Sequence, residues 1–458
     1  MRIPGNADSR SASVKVIVIA LLTLVLLIPL GMIESIVVDR QNNASAAALN
    51  IRQSWGGEQT ITGPILKLPY ELENKTVHGL SYVDERCVYL LADELTIDAG
   101  VETEIRYRGI HKVPVFASVI TISGRIDFSS LESLGITSEQ VQWSRAKLFV
   151  GISDPTALAK IPVVVANSNE VSFSAGGKGI DGLASELAAP LGKAFEGSES
   201  MAPLMLDISL AVNGSGSLQF LPLAENAELS MSSNWASPSF TGRQLPRARE
   251  IRDDGFDATW HSTRIGRKLP AAWIGNEHAR VTAGQGAFGA RFIETVGLYH
   301  LIDRSTKYAV LIVGLTFVAY FLMEIVAALK LHPLQYLLVG LANTLFFLLL
   351  LSLSEHVGFD AAYVLSACAS TTLIAGYSAA ILTSRMRASL MVGVLAALYV
   401  FLYMTLKAQS VALLAGSIGL WVALAVVMYL TRRINWYANA VDVGGDESVD
   451  DQKQATAV

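Results

Sequence analysis

The chain has 458 residues, of which 52% are hydrophobic and only 16% charged, with a net charge of −5. This is too apolar for an ordinary soluble protein of several domains, so the surplus must be buried in lipid. The basic residues form no dense patch, which excludes the electrostatic footprint of a nucleic-acid binder.

The first apolar run, Val14 to Ile33, follows Arg2, Arg10 and Lys15. At about 1.5 Å per residue it is long enough to cross a hydrocarbon core of about 30 Å, and it is predicted to be an uncleaved membrane anchor. Ala44-Ser45-Ala46 has the small-residue pattern of a signal-peptide cleavage site. It lies well beyond the apolar run, after Glu34, Asp39 and Arg40, and the run is longer than a signal peptide needs.

From residue 34 to 306 no apolar run approaches spanning length, and the pattern changes to period two. Val101 to Arg108 and Ile120 to Phe128 alternate apolar and polar positions, and Leu204, Leu206, Ile208, Leu210 and Val212 line one face of a third run. Such half-buried alternation predicts antiparallel sheet. Asn213-Gly214-Ser215-Gly216 predicts a hairpin, and the stretch from Gly176 to Gly197 is expected to hold one short helix. Trp235, Trp260 and Trp273 read as core or rim aromatics. Cys87 here and Cys368 in a later apolar run match no zinc, haem or redox spacing, and Cys87 is expected as a small apolar residue.

From Tyr308 onward five further spans are predicted, near 308–329, 334–353, 359–382, 390–406 and 411–431. Their short polar breaks require antiparallel neighbours in one bundle. With the N-terminus inside, Arg2, Arg10, Lys15, Lys330, Arg385, Arg387, Arg432 and Arg433 fall on the cytoplasmic side, whereas the two short outside loops carry only Lys407. The tail after Tyr437, with Asp442, Asp446, Glu447, Asp450 and Asp451, reads as a polar, acidic end. The expected fold is therefore a six-helix transmembrane bundle plus a large all-β, antiparallel, sandwich-like extracytoplasmic domain between helices 1 and 2. Its expected divisions are 1–13 cytoplasmic, 14–33 helix 1, 34–306 periplasmic domain, 307–433 helices 2 to 6, and 434–458 cytoplasmic tail.

Gly284-Gln285-Gly286-Ala287-Phe288-Gly289 matches the dinucleotide fingerprint, with Asp303 downstream, but no parallel βαβ context surrounds it. A glycine-rich turn or bulge is the better reading. The seven histidines, His78, His111, His261, His278, His300, His332 and His356, form no zinc-holding pair, and neither a phosphate loop nor a nucleophile elbow is present. No catalytic residue, cofactor or metal is assigned.

The ionisable groups within the spans are more informative, since a charge at mid-membrane costs roughly 2.5–3.5 kcal/mol on insertion scales. Glu324 lies about one and a half turns before Lys330, so an interfacial, snorkelling charge is the plainer reading and an interior contact the alternative. Glu355 and His356, at the outer end of the third span, read as interfacial. Ser366, Ala367, Ala369, Ser370, Gly376 and Ala379 suit close helix packing.

Several strings are long and unusual: Ser233-Asn234-Trp235, Pro238-Ser239-Phe240, Gly242, Leu245-Pro246, Gly255-Phe256 and Trp260 in the β-rich part. The membrane part adds Thr306-Lys307-Tyr308-Ala309, His332 to Gly340, Ser354-Glu355-His356 and Asn435-Trp436-Tyr437. In these the chain resembles the CreD family of inner-membrane, cell-envelope integrity proteins, over nearly its whole length. Ser305 stands where alanine is expected and Leu334 where methionine is common. The resemblance implies a bacterial inner-membrane protein linked to a two-component sensory system, to envelope integrity, and to colicin and β-lactam response; it implies no reaction and carries over no site residue. The leading expectation is a non-enzymatic envelope protein whose outer domain binds an envelope protein or glycan partner. The alternative is a transporter or channel through the bundle, resting on Glu324 and the small-residue helix.

Overall fold

The computed structural model describes residues 9–75, 81–176, 180, 183, 185–196, 202–265, 270–275, 286–292, 297–327, 329, 331–382, 384–408 and 412–432. Arg2, His78, His278, Gly284, Gln285, Lys330, Arg433, the Asn435-Trp436-Tyr437 string and the acidic tail lie outside the described residues. Helix α1 (Ser9–Trp55) leads into three long strands, β1 (Gln59–Lys75), β2 (Ser81–Arg108) and β3 (His111–Ile126), and a short helix α2 (Ser129–Ser133). There follow β4 (Lys147–Ile152), β5 (Val163–Ala166), β6 (Asn169–Ser172), β7 (Ser174–Ala175), β8 (Glu186–Pro190), β9 (Leu204–Ser215) and β10 (Ser217–Pro222). The strands end with β11 (Ala224–Ser233), β12 (Ser239–Gly242), β13 (Ala248–Arg252), β14 (Gly255–Thr263), β15 (Ala272–Ile274) and β16 (Phe288–Arg291). Six helices close the described chain: α3 (Leu298–Lys307), α4 (Ala309–Val326), α5 (Pro333–Val357), α6 (Phe359–Ile381), α7 (Arg385–Lys407) and α8 (Ala412–Thr431). The chain divides into a β unit, residues 44–295, and a helical unit, residues 1–43 with 296–458.

In the β unit β2 serves two sheets. Its first part pairs antiparallel with β1, from Lys75 opposite Ser81 to Ile65 opposite Leu91, and its second part, Glu94 to Arg108, pairs with β3. β9 extends the second sheet beyond β3, and β11 joins it on the other side of β2. Pairing is antiparallel except for β10 on β1 and β11 on β2. Alternation decides which face is buried, as read from the sequence for β3 and β9; the run Val101 to Arg108, also read as half-buried, is instead exposed on both faces from Glu104 onward. Leu95, Ile97, Ala99 and Val101 of β2 enter the core, as do Leu204, Leu206, Ile208 and Leu210 of β9, while Glu94, Thr96, Asp98, Met205, Asp207 and Ser209 are exposed. Leu66 and Leu68 of β1 and Leu148 and Val150 of β4 belong to the same cluster, so the two sheets share one apolar interior.

The hairpin expected at Asn213 to Gly216 is not formed. β3 runs along one edge of β9, and the other is taken by β5 at Leu206–Ser209, by Leu158 and Ala159 beside Ala211 and Val212, and by the Gly57 carbonyl at Ser215, so the chain turns at Gly216, with φ of +82°, and passes to the first sheet as β10. Between Gly176 and Gly197 the described residues hold β8 and a single 3₁₀ turn, Gly192–Phe195. The glycine-rich run leads into a strand, not a helix: Phe288–Arg291 pairs with both β10 and β12. A Cβ at Gly289 would meet the Leu218 carbonyl and come within 2.9 Å of Gln219 Cα, so strand proximity is what requires glycine there. Trp260 is fully buried among Phe240 and Phe288, Trp273 stacks on Tyr89, and Trp235 packs half-buried at the rim. Asn234, in the first of the unusual strings, binds Thr103 of β2 three ways: Oδ1 accepts from the backbone N at 2.7 Å and from Oγ1 at 2.6 Å, and Nδ2 donates to the carbonyl at 3.1 Å.

The helical unit contains six helices long and apolar enough to cross a membrane: α1, α4, α5, α6, α7 and α8. The His332-Pro333-Leu334-Gln335 string is a helix start. Pro333 occupies the first helical position of α5, His332 Nδ1 accepts from Leu334 N at 3.2 Å, and Gln335 Oε1 accepts from His332 N at 3.0 Å. Gly358, with φ of +80°, alone separates α5 from α6. Gly340 lets helices approach: a Cβ there would strike Leu26 of α1 and come within 2.8 Å of Phe317 Cζ of α4.

Candidate functional site

Glu324 is inside the helical unit, only 4% exposed, and makes an interior contact at the end of α4. It sits in the last turn of α4, where its carboxylate meets three donors. Oε1 accepts from Lys15 Nζ of α1 and from Leu331 N at 3.0 Å, and Oε2 accepts from the Tyr336 hydroxyl of α5 at 2.8 Å. Tyr336 in turn packs edge-on against Phe317 and Tyr320. The carboxylate therefore joins α1, α4 and α5. A buried charge left without partners would be strongly unfavourable, so the three donors are what make the position tolerable.

Glu355 forms a second cluster of the same composition. Its Oε1 accepts from the Tyr299 hydroxyl of α3 at 3.0 Å, and its Oε2 lies 3.7 Å from Arg40 Nη1 of α1. Its side chain is 8% exposed, while its neighbour His356 is exposed. Burial, reinforced by the hydrogen bond to Glu355, pushes the Tyr299 hydroxyl up to about 12. Lys15 and Arg40 stand ~38 Å apart along α1 at ~1.5 Å per residue, a separation comparable with the ~30 Å of a hydrocarbon core. Each consists of a cation from α1, a glutamate and a tyrosine. Chemically they are helix clamps: donors from several helices converge on one carboxylate.

A third polar group lies between them. The Tyr399 hydroxyl of α7 donates to Asn343 Oδ1 of α5 at 3.0 Å, and the Tyr363 hydroxyl of α6 donates to the Tyr399 carbonyl at 2.6 Å. Asn343 Nδ2 and Ser366 Oγ are buried without a protein partner among the described residues. Of the small residues on α6, Ser366 and Ser370 face the bundle, whereas Ala369, Gly376 and Ala379 are exposed. Among the described residues no group of His, Cys, Asp and Glu is placed to hold a metal.

The β unit carries a broad polar face on its second sheet. One row across β14, β11, β2, β3 and β9 reads Thr259, Ser230, Asp98, Thr121, Ser209. The next reads His261, Glu228, Thr96, Ser123, Asp207. All ten are exposed or half-buried, most are short, and all can hydrogen-bond. Of the residues singled out in the sequence, Glu324 and Glu355 each centre a cluster and His356 stands exposed, while Lys15, Tyr336, Arg40 and Tyr299 were not singled out as their partners. One signal was available: the predicted orientation puts Lys15 and Glu324 at the same side of the membrane.

Comparison with known proteins adds the family. A family model described as "Inner membrane protein CreD" matches residues 11–437. The chain is 32% identical over 423 residues to the Inner membrane protein CreD of Escherichia coli (strain K12), with 91% of each chain covered. Among solved structures, an M1 zinc metallopeptidase from Deinococcus radiodurans matches 37% of this chain and 38% of its own, at 12% identity and a TM-score of 0.15, too slight a likeness to carry an argument.

Proposed function

The chain belongs to the CreD family of inner membrane proteins, and from that premise we propose that it supports cell-envelope integrity, or the response to envelope stress, without catalysing a reaction. In this reading the β unit is a periplasmic binding platform, the helices anchor it, and both termini lie in the cytoplasm. The observation that carries it is the polar face of the second sheet, five strands wide in continuous register, on which Thr121 stands exposed and Ser230 half-buried. Flat sheet faces with many short hydrogen-bonding side chains suit an extended protein segment or a glycan, whose recognition needs many modest polar contacts. The partner is proposed to be an envelope protein or glycan. A photoreactive amino acid at Thr121, and separately at Ser230, tests this in intact cells. A reproducible adduct that is lost when Asp98 and Glu228 are changed to lysine supports the reading; no adduct from either position overturns it.

A second reading, transport through the bundle, is favoured by Asn343 Nδ2 and Ser366 Oγ, polar atoms buried between helices without a protein partner. It requires substrate flux in reconstituted protein that Glu324→Gln abolishes while the helices stay folded.

A further inference from the structure

Within the β unit, both connections towards the membrane-spanning helices meet at Phe116 of β3. Trp55, the last residue of α1, donates Nε1 to the Phe116 carbonyl at 3.1 Å, and the Phe292 ring, just past β16, lies 5.3 Å from the Phe116 ring. The β2–β3 hairpin continues past this point. From Glu104 to Ile110 every residue is exposed, so the hairpin end stands clear of the core on both faces. A two-residue turn closes it, with φ of +61° at Gly109, which places Ile110 at the extreme tip.

The composition of that tip is unusual for a solvated hairpin. Tyr107 is 65% exposed and Ile110 43% exposed. Register sets Tyr107 opposite Lys112, with Arg108 beside it. Arg106 is occupied, paired with Glu104 and stacked over the Trp55 ring at 3.6 Å, whereas Arg108 and Lys112 form no ion pair among the described residues. Exposed apolar residues scattered singly need no explanation. A tyrosine and an isoleucine on a protruding tip, beside two cations without an ion pair among the described residues and on the hairpin where both membrane connections converge, do need one.

We propose that the β2–β3 hairpin tip is an interfacial membrane foot that binds the surface of an anionic phospholipid bilayer. Tyr107 and Ile110 enter the headgroup boundary, where amphipathic rings and aliphatic side chains are favoured, and Arg108 and Lys112 meet lipid phosphates. Because both ends of the β unit lead to membrane-spanning helices, the bilayer is presented to the tip at high effective concentration, and two cations are sufficient where a free domain would need more.

The test uses the full-length protein in nanodiscs of phosphatidylcholine alone, or of phosphatidylcholine and phosphatidylglycerol in equal parts. With Cys87 and Cys368 changed to alanine, an environment-sensitive fluorophore is attached to Ile110→Cys, or, as a control, to Val119→Cys, which is exposed on β3. The probe at 110 is expected to shift blue and to resist quenching by acrylamide in the anionic discs, while the probe at 119 stays accessible in both. At about fivefold per basic residue, replacing Arg108 and Lys112 with glutamine lowers the docked-to-free ratio about 25-fold. Equal accessibility at 110 and 119 in anionic discs overturns the proposal, as does protection that is the same in neutral discs or survives loss of both cations. Protection that appears only with two chains per disc assigns the tip to a second copy and also overturns it. Retention of the unlabelled protein's elution volume shows that each variant is folded.

Discussion

The Tyr336 hydroxyl donates to Glu324 Oε2 at 2.8 Å, so a carboxylate buried at the end of α4 is held from α5 while Lys15 holds it from α1. Breaking one side of a buried ion pair typically costs about 3–5 kcal/mol, but Lys15 is 31% exposed and solvent offsets part of its loss. Lys15→Met is therefore expected to cost about 1–2 kcal/mol, and Glu324→Leu, which strands the Tyr336 hydroxyl, the Leu331 amide and Lys15, about 3 kcal/mol. A double-mutant cycle on unfolding in bicelles checks the pair. Additive effects, with no coupling, would show that Lys15 does not act through Glu324.

Gly340 makes a steric prediction independent of charge. Any side chain at 340 runs into Leu26 and Phe317. Gly340→Ala is expected to destabilise the helical unit by about 1–3 kcal/mol, the usual range for overpacking, and Leu26→Ala should recover part of that loss. If Gly340→Ala is neutral, or Leu26→Ala only adds to the damage, α1 does not pack on α5 at this level.

How much of this was readable in advance differs between the two units. Helices α4 to α8 were legible because each is apolar over a spanning length, and β3 and β9 because Ile120 to Phe128 and Leu204 to Val212 alternate; Val101 to Arg108 of β2 alternates too, but its apolar side chains are exposed from Ile105 onward because the hairpin runs clear of the core. The turn at Gly216 was misread because a glycine permits a reversal but does not specify one; the occupied edges of β9 decide against a hairpin, and those edges are made by residues far away in sequence. The same limit applies to Glu324. Its setting is fixed by Lys15, 309 residues away, and no local pattern encodes that.

Asp154 gives the β unit an acid-side dependence. The Thr156 hydroxyl, the main cause, together with the amides of Gly57 and Thr156, holds its carboxyl below the usual carboxylate value. A carboxyl depressed in the folded chain contributes its stability above the ordinary carboxylate value and loses it as pH falls through the depressed one. Stability against unfolding, followed by tryptophan fluorescence, should therefore fall with acidification below about pH 4, and Asp154→Asn should remove part of that slope while lowering stability at neutral pH. An identical slope in the variant would rule Asp154 out as a contributor.

Trp55 offers a prediction at the base of the hairpin. Trp55→Phe keeps an aromatic ring under Arg106 but removes the Nε1 hydrogen bond to Phe116, and is expected to cost about 1 kcal/mol of β-unit stability. Trp55→Ala, which also removes the stacked ring, should cost about 3 kcal/mol or more. Equal effects would show that the hydrogen bond alone matters.

The measurement that tests the central claim most directly is topology in living cells. The proposal needs the β unit in the periplasm and the C-terminal tail in the cytoplasm, the arrangement expected for six candidate spans with Lys15, Arg385 and Arg387 on the cytoplasmic side. A reporter active only in the periplasm is fused after Glu250, and one active only in the cytoplasm after Val441. The account predicts that both are active in correctly inserted protein. An inactive fusion at Glu250 would place the polar sheet face in the cytoplasm and contradict an envelope-facing platform outright.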